Sequence, residues 1–126
     1  MRIGELARQA GVSVRALRYY EEQQLLTSTR TSGGQREYAV GDVERVRFFQ
    51  TLYAAGLSSR RIAELLPCMD TGTTTSQQRQ MLDEERDRLD RRIQELVEAR
   101  ARLDEIRVAA EDRTEPPVEA AALPAR

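Results

Sequence analysis

The chain has 126 residues, 33% of them charged and 5% aromatic, with a formal net charge of −1, one cysteine and no histidine. That suffices for one small domain plus an extension, with a small aliphatic core and long solvated faces. Cys68 alone excludes a disulfide framework within the chain, and no apolar run reaches the length of a membrane span or signal peptide, so a soluble, cytoplasmic protein is expected.

All twenty basic residues are arginine. The planar guanidinium suits phosphate and guanine, but arginine also fills the C-terminal half, so GC-rich codon usage is the simpler account. The near-zero net charge hides an asymmetry. Residues 1–66 carry ten Arg against seven acidic residues, a net of +3, and residues 67–126 carry ten against fourteen, a net of −4. A modest basic surplus in the first half is the footprint of a nucleic-acid partner.

Ile3 to Ala10 reads as a short amphipathic helix with Ile3, Leu6, Ala7 and Ala10 on one face, ended by Gly11. Ser13 is placed to cap the next helix, and Val12 and Leu17 have hydrophobic-staple spacing. Leu17 and Tyr20 point inward while Arg15, Arg18 and Tyr19 point out. Two short helices joined by a tight Gly turn form a helix-turn-helix. Thr27 to Thr31 and Arg36 to Tyr38 read as two short strands around the turn Ser32-Gly33-Gly34-Gln35, a wing beside the helical pair. Asp42 to Ala54 is expected as a helix with Val43, Val46, Phe49 or Gln50, and Tyr53 along one stripe, stopped by Gly56. Ser58 caps a further helix with Ile62, Leu65 and Leu66 inward, expected to end before Pro67.

Residues 67–76 read as a polar Thr/Gly loop, with Thr75 and Gln78 at capping-box spacing. A long helix follows over 77–110. Leu82, Leu89, Leu96 and Leu103 recur every seven residues, and Ala110 continues the register. The companion seam is patchy: Ala99 and Ile106 are apolar, Glu85 and Arg92 are not, and Ile93 and Val97 lie beside the stripe. A helix of this length spans roughly 50 Å at about 1.5 Å per residue. Alone it would leave its leucines in water, so a coiled-coil partner is expected, most simply a second copy. Parallel and antiparallel pairing are not distinguished by the periodicity. Residues 111–126 are rich in Glu, Pro and Ala and read as a disordered tail.

Several runs in this order resemble the MerR family of bacterial transcription regulators over about residues 1–70. They are Ile3-Gly4-Glu5-Leu6-Ala7, Gly11-Val12-Ser13, Leu17-Arg18-Tyr19-Tyr20-Glu21, Leu25-Leu26, Arg30, Gly34, Arg36, Tyr38, Asp42-Val43, Gly56-Leu57-Ser58 and Ile62. The resemblance implies a mainly α fold. A winged helix-turn-helix domain over 1–70 and a linker over 71–76 precede an antiparallel coiled-coil dimerisation helix over 77–110. It also implies promoters whose two elements are spaced too far apart, bent and untwisted to suit RNA polymerase. Three positions depart from the family: Gln24 where Gly is usual, Ser28 where Pro is frequent, and Ala39 where Ser or Thr commonly caps the third helix.

The expected contacts follow. Arg15, near the start of the second helix with Ser13 and Val14, is placed to read a guanine edge. Arg18 and Tyr19 resemble family residues that grip the DNA backbone. Arg30, Arg36 and Tyr38 on the wing are set to meet flanking phosphates, with Gly33 and Gly34 allowing close approach; Tyr38 can also pack against the hairpin, and the two roles are compatible. Ser58, Arg60 and Arg61 offer a second phosphate contact at a helix start. Leu82, Leu89, Ile93, Leu96, Leu103 and Ile106 make the dimer seam. No cofactor and no metal site are expected, because one thiol per chain cannot supply about four ligands. Cys68 reads as a small half-buried residue first and a candidate redox thiol second. An enzyme is excluded by the lack of His, of a nucleophile beside a base and of a phosphate loop. The competing class is an excisionase-like architectural winged helix that bends DNA without sensing a small-molecule or redox effector. Such a module needs no dimer helix, so solution size separates the two.

Overall fold

Gly11 sets where the first helix stops. In the computed structural model, which describes residues 1–116, α1 spans Ile3–Ala10. Gly11 then adopts φ 71°, a left-handed conformation that costs a side-chain-bearing residue more than it costs Gly. The N–H of Val12 closes the turn on the Ala7 carbonyl at 3.0 Å. Ser13 caps α2 (Val14–Glu22) by accepting from the Ala16 N–H at 3.0 Å. The wing is an antiparallel pair, β1 (Thr29–Arg30) and β2 (Arg36–Glu37), with Thr29 opposite Glu37 and Arg30 opposite Arg36. Three more helices follow: α3 (Asp42–Ala54), α4 (Ser59–Thr71) and α5 (Ser76–Glu111).

The core is built by α1 packing on α2 and α3, and α3 on α4. Leu6, Leu17, Val46, Phe49 and Ile62 are fully buried in it. At about 1.5–3 kcal/mol per fully buried apolar side chain, this cluster is the main stabilising term. On α3 the buried stripe is Val43, Val46, Phe49 and Leu52. Tyr53, expected in that stripe, is half-buried at its edge, and Gln50 is exposed.

The strands are shorter than the sequence implies because Tyr38 leaves the hairpin. Its N–H donates to the Met1 carbonyl at 2.7 Å, and the Met1 ammonium donates back to the Tyr38 carbonyl at 2.8 Å. The expected stop before Pro67 is also corrected: α4 runs on to Thr71 with Pro67 inside it. Proline removes one N–H donor there, but contacts beyond it outweigh the loss. Cys68 and Met69 pack against the core, Arg45 of α3 pairs with Asp70, and the Gly72 N–H caps the Cys68 carbonyl. The loop is therefore only 72–75. The capping box forms as its spacing implies, with Gln78 N–H to Thr75 Oγ1 at 3.1 Å and Thr75 N–H to Gln78 Oε1 at 2.8 Å.

The chain divides into two compact units, Met1–Glu85 and Arg86–Arg126. The first holds the winged helix-turn-helix. In the second, α5 continues as an uninterrupted helix to Glu111. The tail expected from residue 111 lies outside the described residues from 117 onward. No helix among the described residues is long and apolar enough to cross a membrane.

Gln24, which stands where the family has Gly, has φ 61° and is the single non-glycine with positive φ among the described residues. A side chain in this region costs about 1–2 kcal/mol, part of which is returned because Gln has less backbone freedom to lose than Gly. Gln24→Gly should therefore stabilise the fold by about 0.5–1 kcal/mol, read as a higher urea midpoint at unchanged slope. A lower midpoint would show that the Gln24 side chain outweighs its backbone strain.

Candidate nucleic-acid interface

The face of α2 is fixed by its two buried residues. With Leu17 and Tyr20 in the core, the 100° step per residue turns Arg15, Arg18 and Tyr19 outward. Arg15 and Arg18 are exposed and, like Arg60, make no ion pair with another described residue. Tyr19 is 45% exposed. Its hydroxyl lies 3.4 Å from Ser59 Oγ, which also hydrogen-bonds the Tyr53 hydroxyl. Ser13, Arg15, Ala16, Tyr19, Tyr20 and Tyr53 line a shallow hollow of about 440 Å³ on this side.

The wing is braced in two places. At its tip, Gly34 has φ 79° and its N–H closes a turn on the Thr31 carbonyl at 2.9 Å. The Arg30 guanidinium donates to the Gly34 carbonyl at 2.8 Å, so Arg30 holds the tip as well as lying exposed beside it. At its base, Glu21 of α2 takes both wing partners: Arg36 Nη1 at 3.0 Å and the Tyr38 hydroxyl. One carboxylate, left 16% exposed, thus links the recognition helix to the wing. Glu21 closes the Arg-Tyr-Tyr-Glu run, and this role is one that a reading along the chain misses. The signal was there, but its partners are 15 and 17 residues away.

Two of the expected contact residues are already engaged within the chain. Tyr38 does not present its ring to a phosphate: it is 3% exposed, packed in the core with its hydroxyl on Glu21. Arg61 does not stand beside Arg60 as a free cation. Its guanidinium lies 3.6 Å from Glu64, 3.6 Å from Glu84 and 3.4 Å from the buried Glu85, joining α4 to the start of α5. Glu85, which interrupts the expected heptad seam, is thus held by Arg61. Ser13 and Ser58 both act as helix caps, Ser58 accepting from the Arg61 N–H at 3.2 Å, and each keeps an O–H to donate. Val14 is half-buried, and Gly33 and Gly34 are exposed at the wing tip.

Cys68 is half-buried, and its thiol donates to the Leu65 carbonyl at 2.8 Å. The described residues hold no cluster of three or more Cys, Asp or Glu side chains that could hold a metal ion.

An exposed helix carrying unpaired arginines, beside a glycine-tipped wing, is the architecture of a DNA-binding domain. Models for the MerR HTH family regulatory protein and for the MerR DNA-binding region match residues 1–68 and 43–106. The chain belongs to the MerR family. It is 32% identical over 107 residues to the HTH-type transcriptional regulator HmrR of Rhizobium leguminosarum bv. viciae, covering 84% of this chain and 83% of HmrR. Other curated relatives match over about half their length, as with one aligned over 66 residues, 47% of it. In fold, the chain is similar to the transcription regulator PbrR691 of Ralstonia metallidurans CH34, solved in complex with lead(II). The TM-score is 0.75 at 23% identity, over 97% of this chain and 93% of that one. It is also similar to HiNmlR, a MerR family regulator lacking the sensor domain and solved on promoter DNA. There the TM-score is 0.57 at 23% identity, over 79% of this chain and 76% of that one. This MerR-family chain is a DNA-binding transcriptional regulator and not an enzyme.

The brace at the wing base has a pH signature. Burial first, then the Glu21 hydrogen bond and charge, push the Tyr38 phenol from 10.0 up to about 12. A phenol with a raised folded pKa stabilises the fold below its unfolded value, and that contribution is lost as pH rises through the folded value. Tyr38→Phe should therefore flatten the fall in urea midpoint between pH 10 and about 12. An unchanged slope would mean that the Tyr38 hydroxyl is as free to ionise in the folded protein as in the unfolded chain.

Proposed function

We propose that the protein acts as a homodimer joined through residues 77–110, bound to a two-fold-related promoter operator. The observation that carries this reading is the apolar stripe of α5. Leu82, Leu89, Ile93, Leu96, Leu103 and Ile106 are all exposed in the single chain, from 37% at Leu82 to 64% at Ile106. A helix of 36 residues does not keep such a stripe in water when a second copy can cover it. Antiparallel pairing about a two-fold axis makes the interface self-complementary and gives one DNA-binding domain per half-site.

In this reading Arg15 reads a guanine O6/N7 edge from the start of α2, beside Ser13 and Val14. Arg18 and Tyr19 hold the DNA backbone, and Arg30 and Arg36 meet flanking phosphates where Gly33 and Gly34 let the wing approach. Ser58 and Arg60 supply a further phosphate contact at the start of α4. Tyr38 supports this set from the core, and Arg61 through its ion pairs with Glu64, Glu84 and Glu85. Gripping both flanks leaves the centre of the site free to deform, at a cost of order 1–6 kcal/mol for a smooth bend. The dimer regulates by that distortion, which realigns promoter elements for RNA polymerase. The candidate signals are a small molecule and an oxidant, with Cys68 as the candidate thiol for the latter. The lead(II) of the PbrR691 structure belongs to that protein, and the donor set here assigns no metal to this one.

Two results test the reading. Leu96→Asp places a charge at the middle of the seam, a penalty of several kcal/mol. The variant should elute as a monomer and lose operator binding; a dimer with normal binding would refute the seam. The DNA contacts should sort by kind. Arg15→Ala should relax preference at one base position per half-site, at about 1–3 kcal/mol. Arg36→Ala should weaken all sequences alike and reduce the salt slope by about one. Reversed roles would make the wing, not α2, the base reader.

A further inference from the structure

Three hydroxyls from three helices converge beside the exposed face of α2. Tyr19 comes from α2, Tyr53 from the end of α3 and Ser59 from the first turn of α4. Ser59 Oγ sits between the two phenols, hydrogen-bonded to Tyr53 and 3.4 Å from Tyr19. With Tyr53 donating to Ser59 and Ser59 to Tyr19, the Tyr19 O–H is the one left to donate outward. The fixed end is Tyr53. Its ring stacks on Tyr20 at 5.7 Å and 12°, and Tyr20 in turn meets the fully buried Phe49 edge-on at 5.6 Å. The free end is Tyr19, 45% exposed. The hollow that Tyr19 and Tyr53 share is lined by the Arg15 side chain and by no carboxylate, so the acceptor that suits the spare O–H is an anion.

We infer that Tyr53 is a positioning residue for DNA binding, which acts through Ser59 to aim the outward hydroxyl of this chain at one backbone phosphate. The inference deepens the proposed role of Tyr19 as a backbone contact and rests on it. A phenol donating to Ser59 Oγ polarises the next hydroxyl and narrows its positions. Phe at position 53 keeps the ring stack and removes only that anchor. A phosphate so gripped carries no sequence information, so the effect falls on all DNA sites alike.

The test uses the full chain and a duplex selected in vitro for tight binding, with single phosphates replaced in turn by neutral methylphosphonate. Wild type, Tyr19→Phe, Tyr53→Phe and Ser59→Ala are titrated on each duplex. Tyr53→Phe and Ser59→Ala should each weaken binding about three- to tenfold on the native duplex, without a change in salt slope. Their loss should vanish at the one phosphate per half-site where the Tyr19→Phe loss also vanishes. A role confined to folding would lower affinity equally on every duplex. If Tyr19→Phe couples to a phosphate but Tyr53→Phe and Ser59→Ala bind like wild type or lose equally everywhere, the positioning role is overturned and the Tyr19 contact stands. If Tyr19→Phe couples to no phosphate, the contact itself is refuted and the inference falls with it. Should Tyr53→Phe melt early, Ser59→Ala decides, because it cuts the same chain at the start of α4 without touching the aromatic stack.

Discussion

The rotational phase of one nine-residue helix governs the DNA-facing surface. Burying Leu17 and Tyr20 is worth about 1.5–3 kcal/mol each, and it leaves one azimuth for α2. A slip of one residue would turn the helix by about 100°, put Arg18 toward Phe49 and Val46, and expose Leu17. The surface that meets DNA is therefore a by-product of packing. The aromatic wedge of Tyr20 between Phe49 and Tyr53 holds the helix from within. The Glu21 carboxylate ties it to the wing from the other side. The exposed arginines of α2 are thus tied to the wing through one carboxylate; in the proposed distortion of DNA, a loose wing would absorb the strain intended for the duplex.

Local signals in the sequence survive into the structure where the physics is local. Gly11, the Ser13 and Ser58 caps and the Thr75–Gln78 capping box each depend on residues within four positions, and each forms as its pattern implies. Where partners are distant, the sequence is silent. Pro67 looks like a helix stop until Arg45, on another helix, is seen to hold Asp70 beyond it. Arg61 looks like a phosphate contact because it follows Arg60, yet two of its three carboxylate partners lie on α5, more than twenty residues along. Tyr38 looks like a wing contact, but pairing with Met1 draws it out of the hairpin and into the core. Gln24 takes the backbone conformation that the family's usual glycine would take, at a steric cost that composition does not reveal.

The same division explains the functional account. The DNA-binding surface lies within one chain and can be read from its packing. The proposed dimer seam would be half of an interface: its leucines are legible as a seven-residue repeat and stand exposed in the single chain. Glu85, which spoils the repeat, is the residue that Arg61 engages, so the heptad gives way where α5 is tied to α4.

Activation by distortion is the central claim, and promoter spacing tests it most directly. Transcription from the protein's own promoter should be measured with the spacer between the two promoter elements shortened by one or two base pairs, with and without the protein. Distortion predicts that shortening raises transcription in the absence of the protein and makes the protein inhibitory or without effect. If shortening leaves basal transcription low and the protein still activates, the dimer does not act by realigning DNA.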